Sequence, residues 1–180
     1  MGNKNLTKIN TQPVKQLLNF ADRECVPYDI SQIYQSLLAI IGGDSSRLVN
    51  IELYVDLLNK SEIIKFINQS GKKDAIEKRI RMAVHSLITR QRNNKYYEIE
   101  YTQRHEGIEC KVGALKFHSQ ENVRIIAREY NNGRNIAVVM VEGFKKKVQK
   151  NSGKYQNRLE AASKIRYYYI APPKKERIYL

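Results

Sequence analysis

The 180-residue sequence predicts an α+β fold, an antiparallel sheet packed on two helices with a C-terminal helix, preceded by an N-terminal helical hairpin. Three observations carry that expectation. Apolar residues recur at helical spacing in the first 46 residues and again between Ser61 and Arg90. From Lys95 the period shortens to two, the mark of strands, and a last helical stripe follows a lysine run. Strands grouped apart from helices favour an α+β order over an alternating α/β one.

In TQPVKQLLNFADREC, Pro13 suits a first turn, and Val14, Leu17, Leu18 and Ala21 share a helical face up to the break before Pro27. In DISQIYQSLLAIIGGD, Asp29 is the expected N-cap with Gln32 three residues on. Ile30, Ile33, Leu37, Leu38 and Ile41 form the apolar stripe, and Gly42 stands where a left-handed C-cap belongs. These two helices make the hairpin, a 1–46 extension ahead of a main domain at 47–180 with a basic C-terminal tail. So short a hairpin buries little alone and has to pack on the rest of the chain or on a partner. The run RLVNIELYV is β-forming over its length. Ser61 caps EIIKFINQ, and KKDAIEKRIRMAVHSLITRQR places Ala75, Ile76, Ile80, Ala83, Val84, Leu87 and Ile88 on one face, with Lys72, Lys73, Lys78, Arg79, Arg81 and Arg90 on the other. Solvation is the ordinary meaning of such a charged face, and RNA contact the second.

Beyond Lys95, YYEIEYTQ and GIECKV read as strands around the turn RHEG. NVRIIAREY alternates Val123, Ile125 and Ala127 with Arg124, Ile126 and Arg128, so one face goes to a core and the other presents two arginines in line. The NNG at 131–133 is a hairpin signal, and NIAVVMV returns as a buried strand. KYQNRLEAASKIRYYY is expected to be helical, with Tyr155, Leu159, Ala162 and Ile165 or Arg166 on one stripe, until Pro172 and Pro173 end it.

Charge narrows the class of partner. The chain has 32 basic and 18 acidic residues, a net +14, which points to nucleic acid or the ribosome first and a membrane surface second. Between Val141 and Leu180 eleven basic residues stand against three acidic ones, so this stretch holds +8 of the +14 and favours a local binding surface. A solvated helix face with a basic tail is the alternative. No apolar run approaches the roughly 20 residues of a spanning helix, and the polar start MGNKNLTKINTQ lacks the apolar centre of a signal peptide. A cytoplasmic location with no membrane partner is therefore expected. Cys25 and Cys110 match no metal spacing and read as reduced structural thiols, and no metal or cofactor is expected.

From NVRIIAREYNNGRNIAVVMVEGFKKKVQK through NRLEAASKIRYY, the chain resembles the RelE/HigB-like toxins of bacterial type II toxin-antitoxin systems. The matching residues are Arg124, Gly143, Phe144, Lys145, Lys146, Gln149 and Lys150, then Ala161 or Ala162 and Arg166, with Glu109 and Lys111 upstream. The resemblance covers residues 47–170, and its specific part lies at 107–150. It implies a RelE-like antiparallel sheet on two helices. It also implies a ribosome-dependent mRNA endoribonuclease that enters the ribosomal A site, cuts the message without a metal and is held inactive by a cognate antitoxin.

In such a reaction the neighbouring 2′-hydroxyl attacks the phosphate. The protein has to activate that hydroxyl, stabilise charge on the phosphorane and protonate the leaving 5′-oxygen. Lys111, Arg124, Arg128 and Lys146 are the candidates for the charge. His118 is the candidate for proton transfer, with His105 as a second. Lys145, Lys147, Lys150, Arg166 and Tyr168 are the candidates for holding RNA, Tyr168 as one of three adjacent tyrosines able to stack a base. The alternative is a non-catalytic RNA- or DNA-binding protein using the same basic surface, and a third reading gives the N-terminal hairpin a protein-interaction role.

Overall fold

Strands Asn50–Asp56 and Asn135–Lys145 lie side by side as a parallel pair in the middle of the sheet, where apolar side chains on both faces are buried. The computed structural model describes residues 20–40, 42–44, 46, 48–69, 73–89, 95–117, 123–133, 135–145 and 152–180. Among them the chain runs β1 (Ala21–Tyr28), α1 (Ser31–Ile40), β2 (Asn50–Asp56), α2 (Lys60–Gln69) and α3 (Lys73–Ile88). It continues through β3 (Tyr97–His105), β4 (Ile108–Phe117), β5 (Val123–Asn131), β6 (Asn135–Lys145), α4 (Ser152–Ser163), β7 (Ile165–Ala171) and β8 (Glu176–Tyr179). The eight strands form one sheet in the order β3-β4-β5-β6-β2-β1-β7-β8. All neighbours are antiparallel except β2 with β6 and β1 with β7.

This architecture corrects the expected one. The protein is an eight-stranded, mixed, curled half-barrel with four short helices among the described residues, not an antiparallel sheet on two helices behind a helical hairpin. Two segments account for the difference. ADRECVPY, expected at the end of a first helix and beyond it, is strand β1, which enters the ladder between β2 and β7; the earlier part of that helix, before Phe20, lies outside the described residues. Pro27 is tolerated because the pairing with β7 ends at Glu24, so no strand on that side needs its missing N–H. The other segment is IRYYYIA, expected to continue the last helix. It instead leaves α4 at Ser163 and becomes β7, paired in register with β1 from Ala21↔Ile165 to Glu24↔Tyr168. Its run of β-branched and aromatic residues suits a strand once a partner edge exists, which a local helical count cannot foresee.

Strand alternation separates two cores. On one face Ile51, Leu53 and Val55 of β2, with Ile136, Val138 and Met140 of β6, pack under α1, α2 and α3 through Leu37, Ile63, Ile80, Val84 and Leu87. On the other face Val112, Ile126, Val139 and Val141 meet Tyr155, Leu159 and Ala162 of α4. A bulge at Val141 lets β6 turn both Val141 and Glu142 toward the face of Ile126, after which Gly143 points back to the first face. There a β-carbon on Gly143 would lie 2.7 Å from the ring of Phe66, so only glycine admits α2 at that distance. Phe144 meets Tyr155 of α4 with ring centroids 5.0 Å apart. The Gly-Phe pair thus has a packing role on both faces.

The curl has a direct physical signature. β5 and β7 are separated in the ladder by β6, β2 and β1, yet Arg128 on β5 donates from Nε to the Ile165 carbonyl on β7 at 3.3 Å. Beside it, the Tyr167 amide donates to the Tyr130 hydroxyl at 3.1 Å. Asp56, fully buried at the end of β2, fastens the same region: Arg23 of β1 reaches it at 2.8 Å, the Tyr167 hydroxyl donates to its other oxygen, and the Asn59 amide donates at 3.0 Å as α2 begins. No helix among the described residues is long and apolar enough to cross a membrane.

Close packing at Gly113 gives a stability test. A β-carbon there would lie 2.5 Å from the hydroxyl of Tyr97, which is buried and donates to buried Glu129 at 2.8 Å, so the ring cannot give way cheaply. Gly113→Ala is expected to destabilise by about 1–3 kcal/mol, the usual cost of overpacking. Gly153→Ala, at an exposed helical position with nothing within 4 Å, is expected to be neutral or to stabilise by up to about 1 kcal/mol. Urea midpoints of the two variants check this.

Candidate nucleic-acid interface

Residues alternate sides along β7, so Tyr167 and Tyr169 turn toward the α4 core while Arg166 and Tyr168 turn outward. The register then dictates who joins them. Asp22 lies opposite Arg166, Tyr179 opposite Tyr168 and Arg177 opposite Ile170, which places Arg166, Tyr168, Arg177 and Tyr179 on one outer face of the β7–β8 hairpin.

There they stack as a ladder of cations and rings. The Arg177 guanidinium lies 4.7 Å from the centroid of Tyr168, Tyr168 and Tyr179 stand 5.6 Å apart at 57°, and the Arg166 guanidinium lies 4.1 Å from Tyr179. β8 is exposed along its whole length, and the turn that joins it to β7 adds exposed Lys174 and Lys175. The order of these groups is held from beneath by Asp22, which accepts two parallel 2.7 Å bonds from Arg166 and one of 3.1 Å from the Tyr179 hydroxyl. The Arg166 guanidinium, above all, holds the Asp22 carboxyl below its ordinary value.

The remaining candidates fall into different surroundings. Arg124 and Arg128 do share a face of β5, but that face is the α4 core and not a surface. Arg124 pairs with Glu100 and lies 5.4 Å from the Tyr155 ring, while Tyr155 and Lys116 also bind Glu100. Burial, followed by the Glu100 carboxylate, pushes the Tyr155 phenol far up, so it holds its proton at neutral pH. Arg128 is 3% exposed. Lys111 lies opposite Glu129 on the reverse face of the sheet from Arg128, and offers Arg128 only its backbone carbonyl, at 3.1 Å. Lys145 is exposed at the end of β6. His118, Lys146, Lys147 and Lys150 lie outside the described residues.

His105 is engaged as a strut. Its Nε2 is 2.8 Å from Ser163 Oγ, and the single hydroxyl proton of Ser163 goes to the Glu160 carbonyl at 2.6 Å. Nε2–H must therefore donate, which joins β3 to α4 and leaves Ser163 no activated oxygen. The two thiols are equally quiet. Both are buried, and burial, followed by the nearby Asp56 charge, pushes Cys25 up to about 12. Among the described residues no cluster of His, Cys, Asp or Glu could hold a metal ion.

Sequence reasoning singled out Arg166 and Tyr168 but missed Arg177, Tyr179 and Asp22. The signal was present as two alternating segments, IRYYYI and ERIY, on either side of PPKK, a hairpin pattern that the helical reading of Tyr167–Tyr169 concealed.

The carboxylate at the centre of the ladder yields a titration test. The Asp22 carboxyl is expected to titrate below the ordinary aspartate range, and Arg166→Gln is expected to move it back up. A depressed folded value means that this contribution to stability is complete above the ordinary aspartate pKa and is lost as pH falls through the folded one. Carboxyl-detected NMR on the two proteins checks both directions. Comparison with protein-family models, curated proteins and solved structures finds no match to this chain.

Proposed function

We propose that this protein binds single-stranded RNA along the outer face of the β7–β8 hairpin and does not cut it. The observation that carries the reading is the Arg177–Tyr168–Tyr179–Arg166 ladder on the outer face of the hairpin, in which Arg177 and Tyr179 are exposed and Arg166 and Tyr168 half-buried. Unstacked bases pair favourably with aromatic and guanidinium planes, a contact open to any base, and duplexes hide those faces. Lys174 and Lys175 beside the ladder supply phosphate contacts, in keeping with the +14 of the whole chain. Catalysis finds less support: Arg124, one of the two arginines expected to stabilise a phosphorane together, is taken up by Glu100, and Arg128 is turned away from it toward the start of β7. A cytoplasmic location belongs to the same proposal, since that is where such a strand would be met.

Fluorescence anisotropy with a single-stranded RNA of about ten nucleotides, within the site sizes such surfaces cover, tests the reading. Tyr168→Ala and Tyr179→Ala are each expected to weaken binding by about five- to 150-fold, since each stacked base contributes about 1–3 kcal/mol. Arg177→Gln is expected to weaken binding of all sequences alike and lower the salt slope by about 1. Affinity untouched by either tyrosine substitution would refute the ladder as the interface. Intact RNA after incubation, with and without ribosomes, is the second expected result. New 5′ ends within the message would instead restore the endoribonuclease that the RelE/HigB resemblance implies, together with its antitoxin partner.

A further inference from the structure

At the end of the sheet where the curl brings β4 and β5 against β7, a cavity of about 300 Å³ opens beside the ladder. Phe20, Ile108 and Leu180 give it apolar walls, and Tyr130 adds a ring. Arg128 also lines it, and the state of that residue is the unusual feature. It is 3% exposed, stacks over Tyr130 at 4.8 Å and is aligned by carbonyls of Ile165 and Lys111, yet among the described residues it makes no ion pair. A guanidinium keeps its charge at every physiological pH, and taking that charge out of water is costly unless an anion joins it. Glu109 also lines the cavity, but its side chain is 49% exposed and lies 3.9 Å from the Lys111 ammonium.

The cavity and the ladder are continuous. Arg166 and Tyr179 belong to both, so a strand stacked on Tyr168 and Tyr179 runs toward the cavity mouth. The geometry points to a subsite for the phosphorylated end of the bound strand, with the terminal phosphate on Arg128 and the terminal nucleotide between Tyr130 and Tyr179. A volume of about 300 Å³ admits one nucleotide but no longer segment, so the site reads an end and not an internal stretch. The second arginine at the mouth, Arg166, is already committed to Asp22 and serves the ladder, which leaves Arg128 as the group that distinguishes a phosphate from a hydroxyl.

The inference rests on the single-stranded RNA reading, and its test separates the two. One RNA sequence is prepared with a 5′-phosphate, with a 3′-phosphate and with hydroxyls at both ends, and a nucleoside monophosphate serves as competitor. One phosphorylated form is expected to bind about tenfold more tightly than the hydroxyl form, the effect of one charge-assisted contact. Arg128→Gln is expected to erase that preference. Because Arg128 also holds the sheet curl, Ile108→Trp provides a second route: Ile108 lines the cavity and is 39% exposed, and a larger ring there takes up cavity volume while Arg128 itself is kept. It too is expected to make the phosphorylated and hydroxyl RNAs bind alike. Equal binding of all three RNAs to the unaltered protein would overturn the terminal subsite while leaving the ladder reading intact. Preference unaffected by Ile108→Trp would overturn the cavity as its source. Binding of the free nucleotide but of no RNA would overturn both the ladder and the end-recognition role, and would mark a free-nucleotide site.

Discussion

The closure of β5 onto the start of β7, made by Arg128 to the Ile165 carbonyl and by the Tyr167 amide to the Tyr130 hydroxyl, is the constraint from which the placement of the candidate site follows. Twisted sheets of this size stay open, close into barrels or split, and this one is drawn over on itself by side chains that join strands four positions apart. Arg128 and Tyr130 reach from β5 to the start of β7, and α4 fills the space enclosed between them and the middle of the sheet. The curl explains why a face bearing two arginines became interior. Among the described residues β8 and β3 stand at opposite margins of the sheet, and β8 is exposed along its length.

Rigidity beneath the ladder follows from Asp56 and Tyr167. Tyr167 is fully buried, and burial, followed by the Asp56 charge, drives its phenol well above the ordinary range, so the bond to Asp56 keeps its proton. With Tyr167 fixed inward, strand alternation leaves Arg166 and Tyr168 no choice but to face out. Asp22 performs a second task there. It orders Arg166 and Tyr179 in the free protein, and it also competes with any phosphate for the same guanidinium, so affinity and order are balanced at one carboxylate.

Much of the local structure was legible because its determinants are local. Asp29 accepts the Ser31 amide at 2.9 Å at the start of α1, and Gly42 and Gly43 adopt positive φ at its end, as the capping pattern in the sequence indicates. Strands β2 through β6 follow the period-two and hairpin signals closely. The misread segments, β1 and β7, pair with each other across a long sequence distance as well as with β2 and β8, so their strand character rests on long-range pairing, and IRYYYI continues the stripe of α4 smoothly enough to pass for helix. The arginine alternation on β5 was visible as well, whereas its burial was not, because that is a property of the curl and of α4, which begins only at Ser152 beyond the next strand. The candidate site moved for the same reason, from the lysine run toward the hairpin that the lysine run precedes.

Ultraviolet crosslinking of single-stranded RNA to the protein, with crosslinked peptides mapped by mass spectrometry, tests this account most directly. Crosslinks concentrated on Tyr168 and Tyr179 are the predicted result. Crosslinks confined to α3 or to the lysine run at 145–150, with the β7–β8 hairpin unmarked, would contradict it.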